Sequence, residues 1–213
     1  MKQTIFSLLS WLAYGGIMLA QTNAPNKILP VAQSGVIRGQ QAADGDTAPL
    51  DAQGEKCALQ IFLKSVQKQI VSAAEAMPAD KYGFAPTEGE FRGVRSFGQQ
   101  VKHLAATNHI LAAAALGEEA PADAGDETGP EAVRTKAEIL DYLTSSFAHL
   151  GKAIDAIGDR NIAVKSSPIS PLPATAATRL ALSVEALIHA FDHYGQMVEY
   201  LRMNGVVPPA SRP

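Results

Sequence analysis

The sequence predicts an all-α protein built around a four-helix bundle, and three observations carry that prediction. Apolar residues recur at three- and four-residue steps in four separate segments. No segment shows sustained alternation of apolar and polar residues, and β-branched residues do not cluster. The 46% apolar content is ample for a core in a chain of 213 residues. The loops between the segments are long, roughly ten to twenty residues, so crossover connections between the helices are permitted.

The N-terminus has the composition of an export signal. Lys2 precedes an apolar stretch from Ile5 to Ala20 that is followed by small residues. This order is typical of a secretory signal peptide, and we interpret residues 1–24 as one. The alternative is an uncleaved anchor, because about 17 apolar residues can just span a bilayer. The expected location is periplasmic or secreted, with membrane attachment only if the segment stays uncleaved.

Residues 25–55 are interpreted as a flexible linker, and residues 56–211 as the folded domain. Gly, Pro, Ala, Gln and Asp dominate the linker, and no apolar period persists there. The first helix is expected to start near Cys57, the only cysteine of the chain, which excludes an intramolecular disulfide and a cysteine-based zinc site. A thiol at a helix start can be reactive, but a small packed side chain is the simpler expectation.

The first three helical segments have clear signals. Capping boxes are predicted at Ser96 with Gln99 for the second helix and at Thr135 with Glu138 for the third. The expected core stripe of the first helix is Leu59, Phe62, Leu63, Val66, Ile70 and Val71, and that of the third is Ile139, Leu143, Leu150, Ile154 and Ile157.

The fourth helix is expected from about Ala174 to Asn204, because Gly205 and the Pro208-Pro209 pair end it. Its expected apolar seam is Leu180, Val184, Leu187, Phe191, Tyr194, Val198 and Leu201, with Glu185, Asp192 and Glu199 on the opposite side.

Two histidines, His189 and His193, lie one turn apart at the edge of that seam. The spacing aims both imidazoles in one direction, as two ligands of one metal ion require. His103 lies similarly on the second helix and could be the third ligand. The competing interpretation is a set of ordinary interfacial polar residues. His109 and His149 fall off their apolar faces, and we expect both to face solvent.

Two function classes are excluded. A net charge of −3 offers no basic surface for nucleic acid. The spacing of His189 and His193 matches the zinc-protease motif, but that motif needs a glutamate directly after the first histidine as general base. Ala190 stands there, and Asp192 is expected on the solvent side. A protease of that kind is therefore excluded.

Two stretches of the chain carry a resemblance to a known family. They are KYGFAPTEGEFRGVRSFGQQVKHLAATN and HAFDHYGQMVEYLRMNGVVPPAS. The first resembles the Tyr-x-Phe-x-Pro motif, the Arg-Ser/Thr-Phe helix start and the first histidine of the DinB-like (DinB/YfiT-like) superfamily. The second resembles that family's closing His-x-x-x-His-x-Gly-Gln helix. With four helical segments in the expected order, the resemblance extends from about Cys57 to Ser211.

The resemblance implies a four-helix bundle with crossed-over connectivity and a divalent metal ion held by His103, His189 and His193. Zinc, nickel and iron(II) all accept imidazole, so the residues do not choose among these metals. Family members include metal-dependent thiol transferases and isomerases that use low-molecular-weight thiols in the cytosol, and an exported chain departs from that pattern. Tyr194 and Gln196 are close enough in sequence to line the site, although a structural role is the simpler expectation for each.

Three classes of function remain open. The first is an exported metal-dependent hydrolase or transferase that acts on a small molecule of unknown identity. The second is a metal- or ligand-binding module without turnover, which the lack of an acid-base residue in the motif favours. The third is a dimerising structural bundle in which the histidines are a relic.

Overall fold

The computed structural model describes residues 52–124, 126–158, 164–165 and 167–212. The expected signal peptide, and the linker as far as residue 51, lie outside the described residues. The described residues all belong to the compact unit Asp46–Pro213. Within these ranges no helix combines the length and the apolar character needed to cross a membrane.

The described part of the chain is all-helical, with four long helices and no strand, which confirms the predicted fold class. The helices are α1 (Ala52–Ala76), α2 (Phe97–Leu116), α3 (Lys136–Asp155) and α4 (Arg179–Met203). Short 3-10 turns lie at Ala79–Lys81, Ala122–Ala124 and Pro209–Ser211.

Side-chain caps fix where the helices begin. Both predicted capping boxes are confirmed, at Ser96 for α2 and at Thr135 for α3. The hydroxyl of Thr178 accepts a hydrogen bond from the backbone N–H of Ala181, so α4 begins at Arg179 and not near Ala174. The first helix differs in the other direction, because it begins at Ala52, ahead of the start that we expected near Cys57.

Contacts between helices show their relative directions. Gln60, early in α1, donates to the carbonyl of Gly151, late in α3, so these two helices are antiparallel. Arg179, at the start of α4, donates to the carbonyl of Ala115, at the end of α2, which makes this pair antiparallel as well.

The α2–α3 pair is parallel. Near the start of both helices, a Cβ added to Gly98 of α2 would contact Ile139 of α3. Farther along both helices, His109 of α2 contacts His149 of α3. Both α1 and α2 pack against α3 and α4, which places α1 and α2 on one diagonal of the bundle. The connection from α2 to α3, residues 117–135, therefore returns along the length of the bundle. This is the crossed-over connectivity that the resemblance implied.

The core contains the expected stripe of α3 in full, but two expectations were wrong. Phe62 of α1 is 55% exposed, and the seam of α4 is displaced around the helix. Phe191 lies outside the core, while Leu180, Val184 and Tyr194 are only partly buried. The buried residues of α4 are Leu182, Ser183, Ala186, Leu187, Ala190, His193, Met197, Tyr200 and Leu201. Small alanines on this side allow α4 to approach its neighbours closely. The core face of α4 therefore could not be recognised by large apolar side chains.

Candidate metal centre

Three histidine rings from two antiparallel helices converge. The ring centroids of His189 and His193 on α4 are 4.4 Å apart. The ring centroid of His103 on α2 lies 5.2 Å from that of His189 and 4.9 Å from that of His193. One ring nitrogen from each residue lies within 4.8 Å of the other two. The fold thus brings together the three residues that the sequence singled out.

The histidines differ in burial because α2 and α4 approach each other closely. His103 and His193 are 4% and 7% exposed, and His189 is half-buried. His193 lies within the buried face of α4 and not at its edge, which corrects our expectation. Ala186 and Ala190 on the same face are fully buried and leave room for the imidazoles.

The crossover connection orients His103. Its Nδ1 lies 2.9 Å from the carbonyl oxygen of Glu127, and because a carbonyl only accepts, Nδ1 carries the proton. The lone pair is then on Nε2, which makes this nitrogen the one that can bind a metal ion. Metal-ligating histidines typically have such an acceptor on the second nitrogen. Glu127 adopts a left-handed backbone conformation (φ 75°), and its carboxylate lies 3.6 Å from the same Nδ1.

The two histidines of α4 approach each other through Nε2, and these atoms are 3.0 Å apart. Two imidazole nitrogens bound to one tetrahedral zinc ion lie roughly 3.3 Å apart, given zinc–nitrogen bonds of about 2.0–2.1 Å. The His189–His193 pair therefore fits a shared ion with only a small adjustment. The Nδ1 of His189 is buried without a hydrogen-bond partner among the described residues, so no acceptor on this nitrogen orients the ring.

A chain of amides connects His193 to solvent. The Nδ1 of His193 lies 3.2 Å from Nε2 of Gln100, which also donates to Oε1 of Gln196. Gln196 in turn donates to the exposed carboxylate of Asp192. Because Gln100 Nε2 can only donate, His193 Nδ1 accepts in this arrangement and the ring proton lies on Nε2. Metal binding at Nε2 would require that proton to move to Nδ1 and the amide chain to rearrange so that an oxygen accepts it.

All three imidazoles are held neutral. Burial lowers the pKa of His189 to about 4 and that of His193 to about 3, and neighbouring histidines and Arg95 add to the effect. The pKa of His103 is also lowered, by burial first and by Arg95 second. Neutral imidazole is the form that binds a metal ion, so protons do not compete at pH 7.

A cavity of about 490 Å³ opens beside His193. Its polar lining includes Arg95, Gln100 and Gln196, and its apolar lining includes Phe91 and Met203. The hydroxyl of Tyr200 donates to the carbonyl of Arg95 and holds that residue at the rim. Of the two helpers considered from the sequence, Gln196 lines the cavity, whereas Tyr194 packs against the core.

Comparison with known proteins identifies the family. Residues 63–197 match the sequence profile of the DinB superfamily, and this matched range contains all three histidines. The chain belongs to the DinB superfamily. A crystal structure of a protein assigned to the DinB family, from Exiguobacterium sibiricum 255-15, has 16% sequence identity and a TM-score of 0.53, and the similarity covers 71% of this chain and 92% of that one. At that identity it shows the shared fold alone. None of the curated proteins matches.

Two expectations about this DinB chain were wrong outside the triad. His109 and His149 do not face solvent but contact each other, because α2 is enclosed on nearly every side and its parallel neighbour α3 covers His109. Cys57 is exposed and not packed. Since α1 already begins at Ala52, this cysteine lies beyond the first turn of the helix.

Sequence reasoning missed two functional features of the DinB centre. The Glu127 carbonyl acts through the backbone, so no side-chain type marks it. Arg95 directly precedes the N-cap Ser96. The capping box accounted for the helix start at this point of the sequence, so Arg95 was given no role of its own. The residue after the first histidine of α4, Ala190, is fully buried, and this agrees with the exclusion of a zinc protease.

Proposed function

We propose that this DinB protein is an exported metalloprotein that binds a divalent ion through His103, His189 and His193 and acts on a small molecule as a hydrolase or transferase. The convergence of three neutral imidazoles, one of which, His193, lines an open cavity, carries the proposal. Zinc, nickel and iron(II) are all compatible with three imidazoles. When bound, such an ion supplies Lewis acidity to a ligand in the cavity.

The residues around the cavity define the kind of small molecule. Arg95 presents a permanent positive charge and lies close enough to lower the pKa of all three histidines. A guanidinium binds carboxylate or phosphate groups in a bidentate manner. Phe91 and Met203 provide an apolar wall nearby. The best substrate class is a small anion with an apolar portion, whose charged group binds Arg95.

A specific observation favours a second candidate, a metal- or ligand-binding module without turnover. Glu199 is the carboxylate that lines the cavity, and it is paired with Arg202 at 2.9 Å. Glu127 lies behind His103 and contacts Nδ1, away from the lone pair. The carboxylate of the described lining is thus engaged in an ion pair, and catalysis would depend mainly on Gln100, Gln196 and the ion.

Zinc titration tests the metal centre. Wild-type protein should bind one zinc ion tightly, and His103→Ala or His193→Ala should weaken that binding by more than the ~10–100-fold typical of losing an outer partner. His109→Ala is the matched control, since it removes a histidine from the same helix as His103 but leaves the triad intact. Unchanged tight binding in His103→Ala would contradict the centre.

A turnover screen separates the two candidate functions. Metal-loaded and metal-stripped protein are compared on small esters, amides and phosphoesters that carry a carboxylate, and on transfer to low-molecular-weight thiols. Metal-dependent turnover that is reduced in Arg95→Gln and retained in Arg92→Gln supports the enzyme. Arg92 is a suitable control because it is exposed and pairs with Glu90. Anion binding without turnover supports the module.

Export is tested on the full chain. After expression with its own N-terminus, the protein should be found outside the cytoplasm with at least the first 20 residues removed, as intact mass would show. An intact N-terminus in the cytoplasm would contradict export. An intact N-terminus in the membrane fraction would favour the anchor.

A further inference from the structure

A second pair of histidines lies between α2 and α3. His109 and His149 face each other with their Nδ1 atoms 3.0 Å apart and their ring centroids 5.3 Å apart. Both are partly buried. This histidine pair uses no residue of the triad, and its second helix is α3 and not α4.

The tautomer of His109 follows from its neighbour Ser145. The Ser145 hydroxyl donates its single proton to the carbonyl of Tyr142 at 2.8 Å. Towards Nε2 of His109, 3.2 Å away, Ser145 Oγ can therefore only accept. The neutral His109 ring then carries its proton on Nε2 and has its lone pair on Nδ1.

The same reasoning applies to His149. Its Nε2 lies 3.4 Å from Oε2 of Glu118, and a carboxylate only accepts. In the His149 tautomer that this contact supports, the proton is on Nε2 and the two Nδ1 lone pairs point at each other across 3.0 Å, an arrangement that a cation between them stabilises. In the other tautomer the Nδ1–H of His149 donates to Nδ1 of His109. A metal ion selects the first tautomer.

Two cations can serve there, a proton or a metal ion. Burial and the His149 ring lower the pKa of His109 to about 4, although Asp123 opposes this, so a shared proton is disfavoured at neutral pH. A metal ion suits the surroundings better, because both outer nitrogens already donate to acceptors. A carboxylate on one such nitrogen is the usual support of a metal-ligating histidine.

We propose that His109 and His149 form a second transition-metal site, in which both Nδ1 atoms bind one borderline divalent ion such as Zn²⁺, Ni²⁺ or Cu²⁺. Ser145 and Glu118 orient the two rings through Nε2. The side chain of His149 is 18% exposed, so solvent reaches the site and can complete the coordination. With two protein ligands, this site binds more weakly than the triad.

Zinc stoichiometry of the full chain tests the proposal. By equilibrium dialysis and elemental analysis, wild-type protein should bind two zinc ions at saturation. His109→Ala and His149→Gln should each bind one, as should His103→Ala/His193→Ala, which leaves a single histidine of the triad, and adding His109→Ala to that double variant should leave none. Ser145→Ala should retain the site with about 10-fold weaker binding, since it removes only an outer partner. One ion in wild type, or two in His109→Ala, would overturn the proposal.

A measurement on the wild type alone guards against misfolded variants. In ¹⁵N-histidine NMR spectra, zinc should shift the Nδ1 resonances of His109 and His149, and their Nε2 atoms should keep their protons. A proton shared between the two Nδ1 atoms that zinc does not displace would also overturn the second site. The triad does not affect this outcome, because its zinc-dependent shifts belong to other residues.

Discussion

The connection between α2 and α3 should be most sensitive at Gly129, and replacing this glycine by alanine tests how the connection supports the metal centre. Gly129 has φ 74°, and an added Cβ would lie 2.9 Å from Cγ of Lys102 and 3.2 Å from Cε1 of Tyr142. The Lys102 side chain cannot easily withdraw, because its Nζ donates to the carbonyl of Pro130. Gly129 is two residues from Glu127, whose carbonyl orients His103.

The magnitude follows from two separate costs. A left-handed backbone costs a residue with Cβ about 1–2 kcal/mol, and overpacking typically costs about 1–3 kcal/mol. Gly117 is a matched control, because it has a similar φ of 78° with nothing within 4 Å of the added Cβ. The backbone cost cancels between Gly129→Ala and Gly117→Ala, which leaves a difference of about 1–3 kcal/mol in unfolding free energy. For a domain of this size that is a difference of about 2–10 °C in Tm.

Two measurements follow from this comparison. Urea unfolding should show Gly129→Ala as the less stable variant. Zinc binding at the triad should also weaken by about 10–100-fold in Gly129→Ala, because displacement of the connection removes the acceptor from Nδ1 of His103. Gly117→Ala should bind zinc as wild type does. Equal stability of the two variants, or unchanged zinc affinity in Gly129→Ala, would refute the proposed role of the connection.

Three further outcomes are expected. Thr135→Ala removes the cap of α3 and should lower the unfolding free energy by about 1 kcal/mol in urea melts, while the exposed mid-helix Thr144→Ala should change it by less than about 0.5 kcal/mol. The metal-free protein should lose stability in acid. The pKa values of His189 and His193 are about 4 and 3 in the folded protein and 6.5 in the unfolded chain. As the pH falls, the unfolded chain therefore binds protons at these histidines before the folded protein does. The two histidines therefore contribute their full stabilisation above about pH 6.5, and this contribution falls as the pH drops from there towards 3. The double His→Gln variant of this pair should show a shallower fall in urea midpoint. Limited proteolysis should stop near Ala52, where α1 begins, and protection back to residue 30 would contradict this boundary.

Local signals predicted the fold well because they act within a few residues. The capping boxes at Ser96 and Thr135 satisfy backbone N–H groups through their own side chains, whatever packs nearby. The stripe of α3 was also correct, since this helix has one buried face and one solvent face, and large apolar residues fill the buried one.

Non-local packing explains what the sequence did not reveal. The core face of α4 is marked by small residues, Ala186 and Ala190, while the larger Phe191 is 40% exposed. A periodicity that weighs apolar size therefore selected a seam displaced around the helix, which shares Leu187 and Leu201 with the core face. In α2 nearly every position is buried, so the assumption of one apolar face and one solvent face does not hold there, and His109 was placed in solvent although α3 covers it.

The triad could be proposed because two of its members lie one turn apart and a family resemblance supplied the third. Its supporting groups could not be derived in this way. The Glu127 carbonyl reaches His103 only because α2 and α3 are parallel and their connection returns beside α2. Arg95 faces the cavity because Tyr200, from the far end of the chain, holds its carbonyl.

The division of the centre between α2 and α4 has a consequence for biosynthesis. Gln100 and His193 are 93 residues apart in sequence, and α4 is translated after α1, α2 and α3. During synthesis the N-terminal part of a chain is available to fold first, but His103 has no partner ligand until α4 leaves the ribosome. A nascent chain that ends before α4 therefore has one isolated histidine of the triad and cannot acquire the ion prematurely. Metal loading of the triad therefore reports that α4 has been synthesised.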